Sequence, residues 1–284
     1  MTRVGAIDLG TNATRLLIAD VEDGRVEELV RRTRITRLGE GVDARRRLLP
    51  VPVARVRNVL TEYRRELEEL GAERTLAVAT SAVRDAENGE AFLGEIEWSY
   101  GFATRLLTGD EEAGLTLRGV GPLQPGTVVV DVGGGSTELI TEDFRTSMDI
   151  GSVRLTERHG ADWEAARTEI QNVLPHLTAD RLIGVDGTTA ELAALDALTL
   201  DGMSRVLAWL RTSTTSERRA KLLQPDRSDV IAAGVLIVRE VVARLGLERI
   251  DSSKRDLLDG VALEAAALPA TAEGEAPPGA YTCC

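Results

Sequence analysis

Apolar residues in the first 120 positions recur at two spacings, every second residue and every third or fourth. The two-residue spacing predicts strands at residues 4–10, 14–19, 26–38, 75–79 and 102–107. The helical spacing predicts helices at residues 53–70, 89–100 and 111–119. The first three strands are separated only by short polar turns, so we expect an antiparallel meander followed by alternating strands and helices.

A cluster of glycine and proline at residues 121–126 interrupts this pattern before a new strand at 127–132. Helical spacing then predominates, at residues 163–174, 189–195, 203–210, 230–245 and 257–268. We therefore predict a first lobe at 1–122 and a second at 123–268, whose last helix either stays there or packs back on the first lobe. Residues 269–284 are predicted to be a disordered tail.

One sequence pattern occurs once in each half of the chain: an apolar strand, an aspartate, a tight glycine turn and a returning strand. It spans residues 7–12 and again residues 130–137. Such a repeat predicts a duplicated α/β fold, with the two turns on opposite walls of a cleft between the lobes.

Composition excludes several classes of protein. The formal charge of −12 argues against nucleic acid as a partner. No Gly-Lys-Ser/Thr sequence is present for a P-loop, and the only cysteines are Cys283 and Cys284, so we expect no cysteine-dependent phosphatase. We expect neither a membrane segment nor a signal peptide, and hence a cytoplasmic protein.

The first turn carries polar side chains suited to phosphate. Asp8 can hold a cation, Gly10 permits the turn, and Thr11 and Asn12 offer donors to phosphate oxygens. Arg15 can add a bidentate clamp. An ordinary β-turn explains the same residues equally well.

The second turn is more specific. Its amides and hydroxyls form a potential anion nest of Gly133, Gly134, Gly135, Ser136 and Thr137. Asp131 and Glu138 flank this nest as carboxylates suited to Mg²⁺. A purely structural turn would not need hydroxyls and a carboxylate directly behind three glycines.

Two further segments offer charged groups. Arg84 follows a strand at a predicted helix start, where it can reach a phosphate or merely be solvated. Glu111 and Glu112 begin another helix, and either can serve as a general base, although acids at a helix start also cap it. His159 lies in a short sequence that matches the signature of histidine phosphatases. It follows a helical segment, however, so we expect a structural role for it.

With these four motifs in order, the chain resembles the exopolyphosphatase and guanosine pentaphosphatase (Ppx/GppA) family of the actin-like, ribonuclease-H-like superfamily, up to about residue 268. The resemblance implies that Glu112 is the base for the attacking water and that Arg84 binds phosphate. It also implies that Asp131 and Glu138 serve catalysis and, with Asp8, hold Mg²⁺ or Mn²⁺. Arg154 lies in another family-like segment without an assigned role.

The expected activity is exopolyphosphatase, with inorganic polyphosphate as substrate. Asp186 stands where relatives have glycine in a turn near the nucleoside, which disfavours guanosine pentaphosphate as the alternative substrate. The chain resembles the short, two-lobed members, from which we expect short polyphosphate chains. A non-hydrolysing actin-like nucleotide-binding regulator and a homodimer through the second lobe are also compatible with the resemblance.

Overall fold

The computed structural model describes residues 1–185 and 187–269. Its strands are β1 (Thr2–Leu9), β2 (Ala13–Glu22), β3 (Arg25–Ile35), β4 (Arg74–Ala79), β5 (Ala103–Leu106), β6 (Thr127–Val132), β7 (Thr137–Ile140), β8 (Arg145–Met148), β9 (Arg181–Gly184) and β10 (Asp251–Ser252). Its helices are α1 (Val42–Arg45), α2 (Pro50–Glu69), α3 (Ser81–Arg84), α4 (Gly89–Tyr100), α5 (Gly109–Val120), α6 (Ser152–His159), α7 (Trp163–Val173), α8 (Gly187–Ala194), α9 (Leu200–Thr212), α10 (Thr215–Lys221), α11 (Ile231–Arg244) and α12 (Leu257–Ala265). None of the helices among these residues is both long and apolar enough to cross a bilayer.

The first sheet has the order β3-β2-β1-β4-β5. Strands β1 to β3 form the predicted antiparallel meander, and β4 and β5 run parallel to β1. Alternate residues of β1 face two apolar layers. Ile7 and Leu9 pack with α2 and α4, whereas Val4 and Ala6 pack with α12. Burial on both faces explains why this strand is almost continuously apolar.

The second sheet has the order β8-β7-β6-β9-β10. Its strand directions repeat those of the first sheet, since β6 to β8 are antiparallel and β9 and β10 are parallel to β6. An apolar cluster from α7, α9 and α11 covers it, with Val235 and Ile237 fully buried. The predicted duplicated α/β fold is confirmed.

The chain forms two compact units, residues 1–119 with 257–269, and residues 120–256. Helix α12, at the end of the predicted second lobe 123–268, lies in the first of these two units. Packing explains the assignment: Gly260 lies so close to the backbone of Leu115 in α5 that a Cβ would overlap it, and Asp259 accepts a 2.8 Å hydrogen bond from Arg31. Apart from Pro269, the predicted tail lies outside the described residues, as does Asp186.

Candidate active site

The first glycine turn links β1 to β2. The amide of Gly10 donates to the carbonyl of Ala13 over 3.0 Å, and a Cβ on Gly10 would lie 2.9 Å from that oxygen. Glycine is therefore required for this tight return. Thr11 and Asn12, at the tip, are only 7% and 6% exposed.

The segment after β3 forms hydrogen bonds with the carbonyl groups of this turn. The amides of Thr36 and Arg37 both donate to the carbonyl of Asn12, at 3.1 and 2.9 Å, and the amide of Gly39 donates to Thr11 at 2.8 Å. The side-chain amide nitrogen of Asn12 is buried and has no hydrogen-bond partner among the described residues. A buried donor of this kind is suited to a phosphate oxygen.

Asp8 and Arg15 lie opposite each other on β1 and β2. Nε and Nη2 of Arg15 approach Oδ2 of Asp8 at 2.9 and 2.8 Å. The predicted cation ligand and the predicted phosphate clamp are thus engaged with each other. If Asp8 or Arg15 binds a ligand, it does so while it is paired with the other or after this ion pair has broken.

The second glycine turn, between β6 and β7, repeats the backbone of the first. The amide of Gly133 donates to the carbonyl of Ser136 over 2.9 Å, as Gly10 does to Ala13. Asp131 faces Glu138 across the two strands, as Asp8 faces Arg15. The residue opposite the aspartate is therefore positively charged in the first unit, where it is Arg15, and negatively charged in the second, where it is Glu138.

The start of α6 holds the carbonyl groups of the second turn. Backbone amides of α6 donate to Gly133 and Gly134 at 2.8–3.1 Å, and Nε of the buried Arg154 donates to the carbonyl of Gly135 at 2.7 Å. By contrast, the backbone amides of Gly134, Gly135 and Ser136 donate to no atom of residues 1–185 or 187–269. The turn therefore presents a run of available N–H groups, the arrangement predicted for an anion nest.

Gly151 permits this contact. A Cβ there would lie 2.5 Å from the backbone of Gly134 and Gly135. Thr137 has a different role from its neighbours, because its hydroxyl donates to the carbonyl of Ile150 at 2.7 Å and is committed within the fold. The roles of Arg154 and Gly151 in positioning the turn were not predicted from the sequence.

The carboxylates behind the second turn are buried, Asp131 to 9% exposure and Glu138 to 1%. The hydroxyl of Ser147 on β8, which the sequence did not single out, donates to Oε1 of Glu138 at 2.6 Å. Among the described residues, no three His, Cys, Asp or Glu side chains gather into a group that would hold a metal by themselves. Mg²⁺ commonly takes one or two carboxylates and fills its other positions with water and substrate phosphate, so this pair fits such an ion.

The two adjacent acids at the start of α5, Glu111 and Glu112, have different contacts. Glu111 forms a capping box with Thr108: its Oε2 accepts from the Thr108 amide at 2.8 Å, and its own amide donates to the Thr108 hydroxyl at 3.3 Å. Arg105 also donates to it at 2.5 Å. The Thr108 amide, followed by Arg105 and the Thr108 hydroxyl, lowers the pKa of Glu111 to about 2. A carboxylate held so firmly in its charged form is a poor general base at neutral pH.

Glu112 points elsewhere and is 8% exposed. Its Oε2 lies 3.4 Å from Nη1 of Arg84, which donates to the carbonyl of Leu107 at 2.7 Å. The structure thus brings together the predicted base and the predicted phosphate-binding arginine. His159 is not part of this arrangement. It lies on α6, and its Nε2 is 2.5 Å from Oε2 of Glu169 on α7.

Two copies of one sheet topology, each with a glycine turn behind a buried aspartate, define a duplicated α/β protein. The chain belongs to the Ppx/GppA phosphatase family, since the model of that family matches residues 17–195. Its class is therefore that of the phosphoanhydride hydrolases, as the sequence predicts.

Relatives support the assignment to this family. Exopolyphosphatase 2 of Mycobacterium tuberculosis is 38% identical over 317 aligned positions, which cover 94% of this chain and 99% of that protein. A guanosine-5'-triphosphate,3'-diphosphate pyrophosphatase of Vibrio atlanticus is 28% identical, over 91% of this chain and 58% of its own length. The crystal structure of the Aquifex aeolicus family member has a TM-score of 0.74 and 27% identity, and the match covers 94% of this chain and 98% of that one.

Proposed function

We propose that this protein is an exopolyphosphatase that removes terminal phosphate from short inorganic polyphosphate. The observation that carries this substrate assignment is the similarity to Exopolyphosphatase 2 along nearly the whole of both chains. The Vibrio relative is less similar and extends well beyond the matched region, so it supports guanosine pentaphosphate only as an alternative.

In the proposed reaction, the first unit supplies Glu112 and Arg84. Water attacks the terminal phosphorus, its proton passes to Glu112, and the bond to the bridging oxygen breaks. The products are orthophosphate and a chain shorter by one unit. Phosphoryl transfer depends mainly on positioning and charge neutralisation, so a base next to a guanidinium group suits the task.

Backbone and amide donors bind the phosphate oxygens in this proposal. The second unit contributes the turn of Gly133, Gly134, Gly135, Ser136 and Thr137, which the amide of Gly133 closes by donating to the carbonyl of Ser136. The available N–H groups belong to Gly134, Gly135 and Ser136, whereas Thr137 acts through its place in the fold. The first unit contributes Gly10, Thr11 and the buried amide of Asn12, and Arg15 acts through Asp8.

Asp131 and Glu138 would hold Mg²⁺ or Mn²⁺, and Asp8 would assist while paired with Arg15. Their buried oxygens are hard ligands, and two carboxylates opposite each other on neighbouring strands repel unless a cation lies nearby. When bound, the ion would neutralise charge on the phosphate chain. Ser147 orients Glu138 for that purpose.

One assay tests the substrate. Purified protein is given short polyphosphate or guanosine pentaphosphate while the Mg²⁺ concentration is varied, and released orthophosphate is measured. We expect a higher kcat/KM for polyphosphate. A preference for guanosine pentaphosphate would move the assignment to the alternative substrate, and nucleotide binding without turnover of either would indicate a regulator. The cytoplasmic location and the homodimer stay predictions from the sequence.

A further inference from the structure

A concave site lies within residues 120–256, on helices that carry none of the glycine turns. Its volume is about 370 Å³, and α7, α9 and α11 form its walls. Three arginines and three apolar side chains give the cavity its character: Arg167, Arg211, Arg239, Trp163, Leu207 and Leu236. Three guanidinium groups make this cavity locally basic on a chain whose formal charge is −12.

A buried carboxylate fixes two of these arginines. Glu240 is 5% exposed, and its Oε1 accepts from Nε of Arg167 at 3.1 Å and from Nη1 of Arg239 at 2.6 Å. Its other oxygen accepts from Gln171 at 2.7 Å. Nη2 of both arginines has no partner among the described residues. The guanidinium groups are thus held in place while each keeps donors for a ligand.

The third arginine is not neutralised. Arg211 lies over the ring of Trp163, 4.9 Å from its centroid, and forms no ion pair with a residue that the structure describes. Glu164 also lines the cavity, so three arginines face two glutamates once Glu240 is included. These five side chains together carry a net charge of +1.

We propose that this cavity binds a small organic phosphate. The guanidinium forks of Arg167, Arg211 and Arg239 match phosphate oxygens, and Leu207 and Leu236 offer apolar surface to the organic part. A cavity of this volume is larger than one phosphate group needs and falls in the range of small-molecule sites.

Fluorescence of Trp163 provides a readout local to this cavity. In the background Trp98→Phe, Trp209→Phe it is the only tryptophan of the chain. Titration with ATP as the probe is expected to change its emission saturably. Adenosine, which lacks the phosphates, and tripolyphosphate, which lacks the organic part, are expected to bind at least about tenfold more weakly.

Variants test the arginines. Arg211→Ala and Arg239→Gln are each expected to raise the Kd for ATP about tenfold, because each removes a charge-assisted contact. Arg205→Ala, on the same helix α9 but outside the cavity, is the matched control and should bind as the background does. Circular dichroism checks that each variant is folded.

Three results would overturn the proposal: no saturable change in emission at millimolar ATP, unchanged affinity in folded Arg211→Ala and Arg239→Gln, or equal affinity for tripolyphosphate and ATP.

Discussion

Nη1 of Arg84 lies 3.4 Å from Oε2 of Glu112, and the same nitrogen donates to the carbonyl of Leu107. This contact joins the end of α3 to the start of α5, two segments that are far apart in sequence. The carbonyl anchors the guanidinium, and the guanidinium stands beside the carboxylate. A group proposed to bind phosphate and a group proposed to take a proton are therefore placed together by the first unit alone.

Glu112→Gln is expected to lower kcat on polyphosphate by about 10²–10⁴-fold, because the amide cannot accept the proton of the attacking water. Phosphate binding should change little, since the amide keeps the size of the side chain. The measurement is steady-state phosphate release together with binding of a non-hydrolysed analogue. Glu111→Gln, one residue away, is the control and should keep most of the turnover. Near-normal turnover in Glu112→Gln would reject its role as the base.

Glu111→Gln is expected to destabilise the fold by up to about 1 kcal/mol at neutral pH, because a neutral amide can still accept from Thr108 but loses the charge-assisted part of its contacts with Thr108 and Arg105. The carboxylate is more than one-third exposed, so solvent screening limits the contribution of Arg105. Urea unfolding measures the difference from the unmodified protein.

The same pair of proteins tests the pKa of Glu111. Folding lowers that pKa from 4.5 to about 2, so the carboxylate stabilises the fold above pH 4.5 and loses this effect as the pH falls toward 2. The stability difference between Glu111→Gln and the unmodified protein should therefore shrink over this window. A difference that stays constant with pH would contradict the lowered pKa.

Gly151→Ala should disturb the second turn, because the added Cβ would lie 2.5 Å from backbone atoms of Gly134 and Gly135. We expect a loss of about 1–3 kcal/mol in the free energy of unfolding and a raised KM for polyphosphate. Gly94→Ala is the control, since its Cβ would meet nothing within 4 Å. Equal behaviour of the two variants would show that the close approach of α6 to the turn is unimportant.

Ser147→Ala removes the hydroxyl that donates to Glu138. If Glu138 holds the metal, the Mg²⁺ concentration for half-maximal activity should rise about 10-fold or more, as when other outer partners of metal ligands are lost. Ser147→Thr keeps the hydroxyl and should restore most of the metal affinity. The measurement is a Mg²⁺ titration of phosphate release, and an unchanged midpoint in Ser147→Ala would argue against this role.

Much of the fold could be predicted because the central strands are buried on both faces and their apolar patterns are strong, as in β1 and β6. The strands β8, β9 and β10 were not predicted. They have four, four and two residues, and Arg145–Met148 is mostly polar, so pairing with neighbouring strands rather than local pattern makes them strands.

In the site, the chemistry of the turns is visible in sequence because aspartate and glycine stand at fixed spacing. The choice between Glu111 and Glu112 was also within reach, because Thr108-Gly109-Asp110-Glu111 has the spacing of a capping box. The same spacing, at Thr214 and Glu217, begins the unpredicted helix α10. The roles of Gly151, Arg154 and Ser147 depend on which segments meet in space, which spacing alone does not reveal.

The bonds from α6 to the carbonyl groups of Gly133, Gly134 and Gly135 have a consequence for how the second turn behaves over time. Glycine peptides rotate easily, and a rotated peptide would turn an oxygen where a nitrogen had been. With each oxygen already fastened on the far side, such a rotation would break a bond that nothing replaces. The turn therefore keeps its available N–H groups in one orientation, preorganised for the anion that we propose it binds.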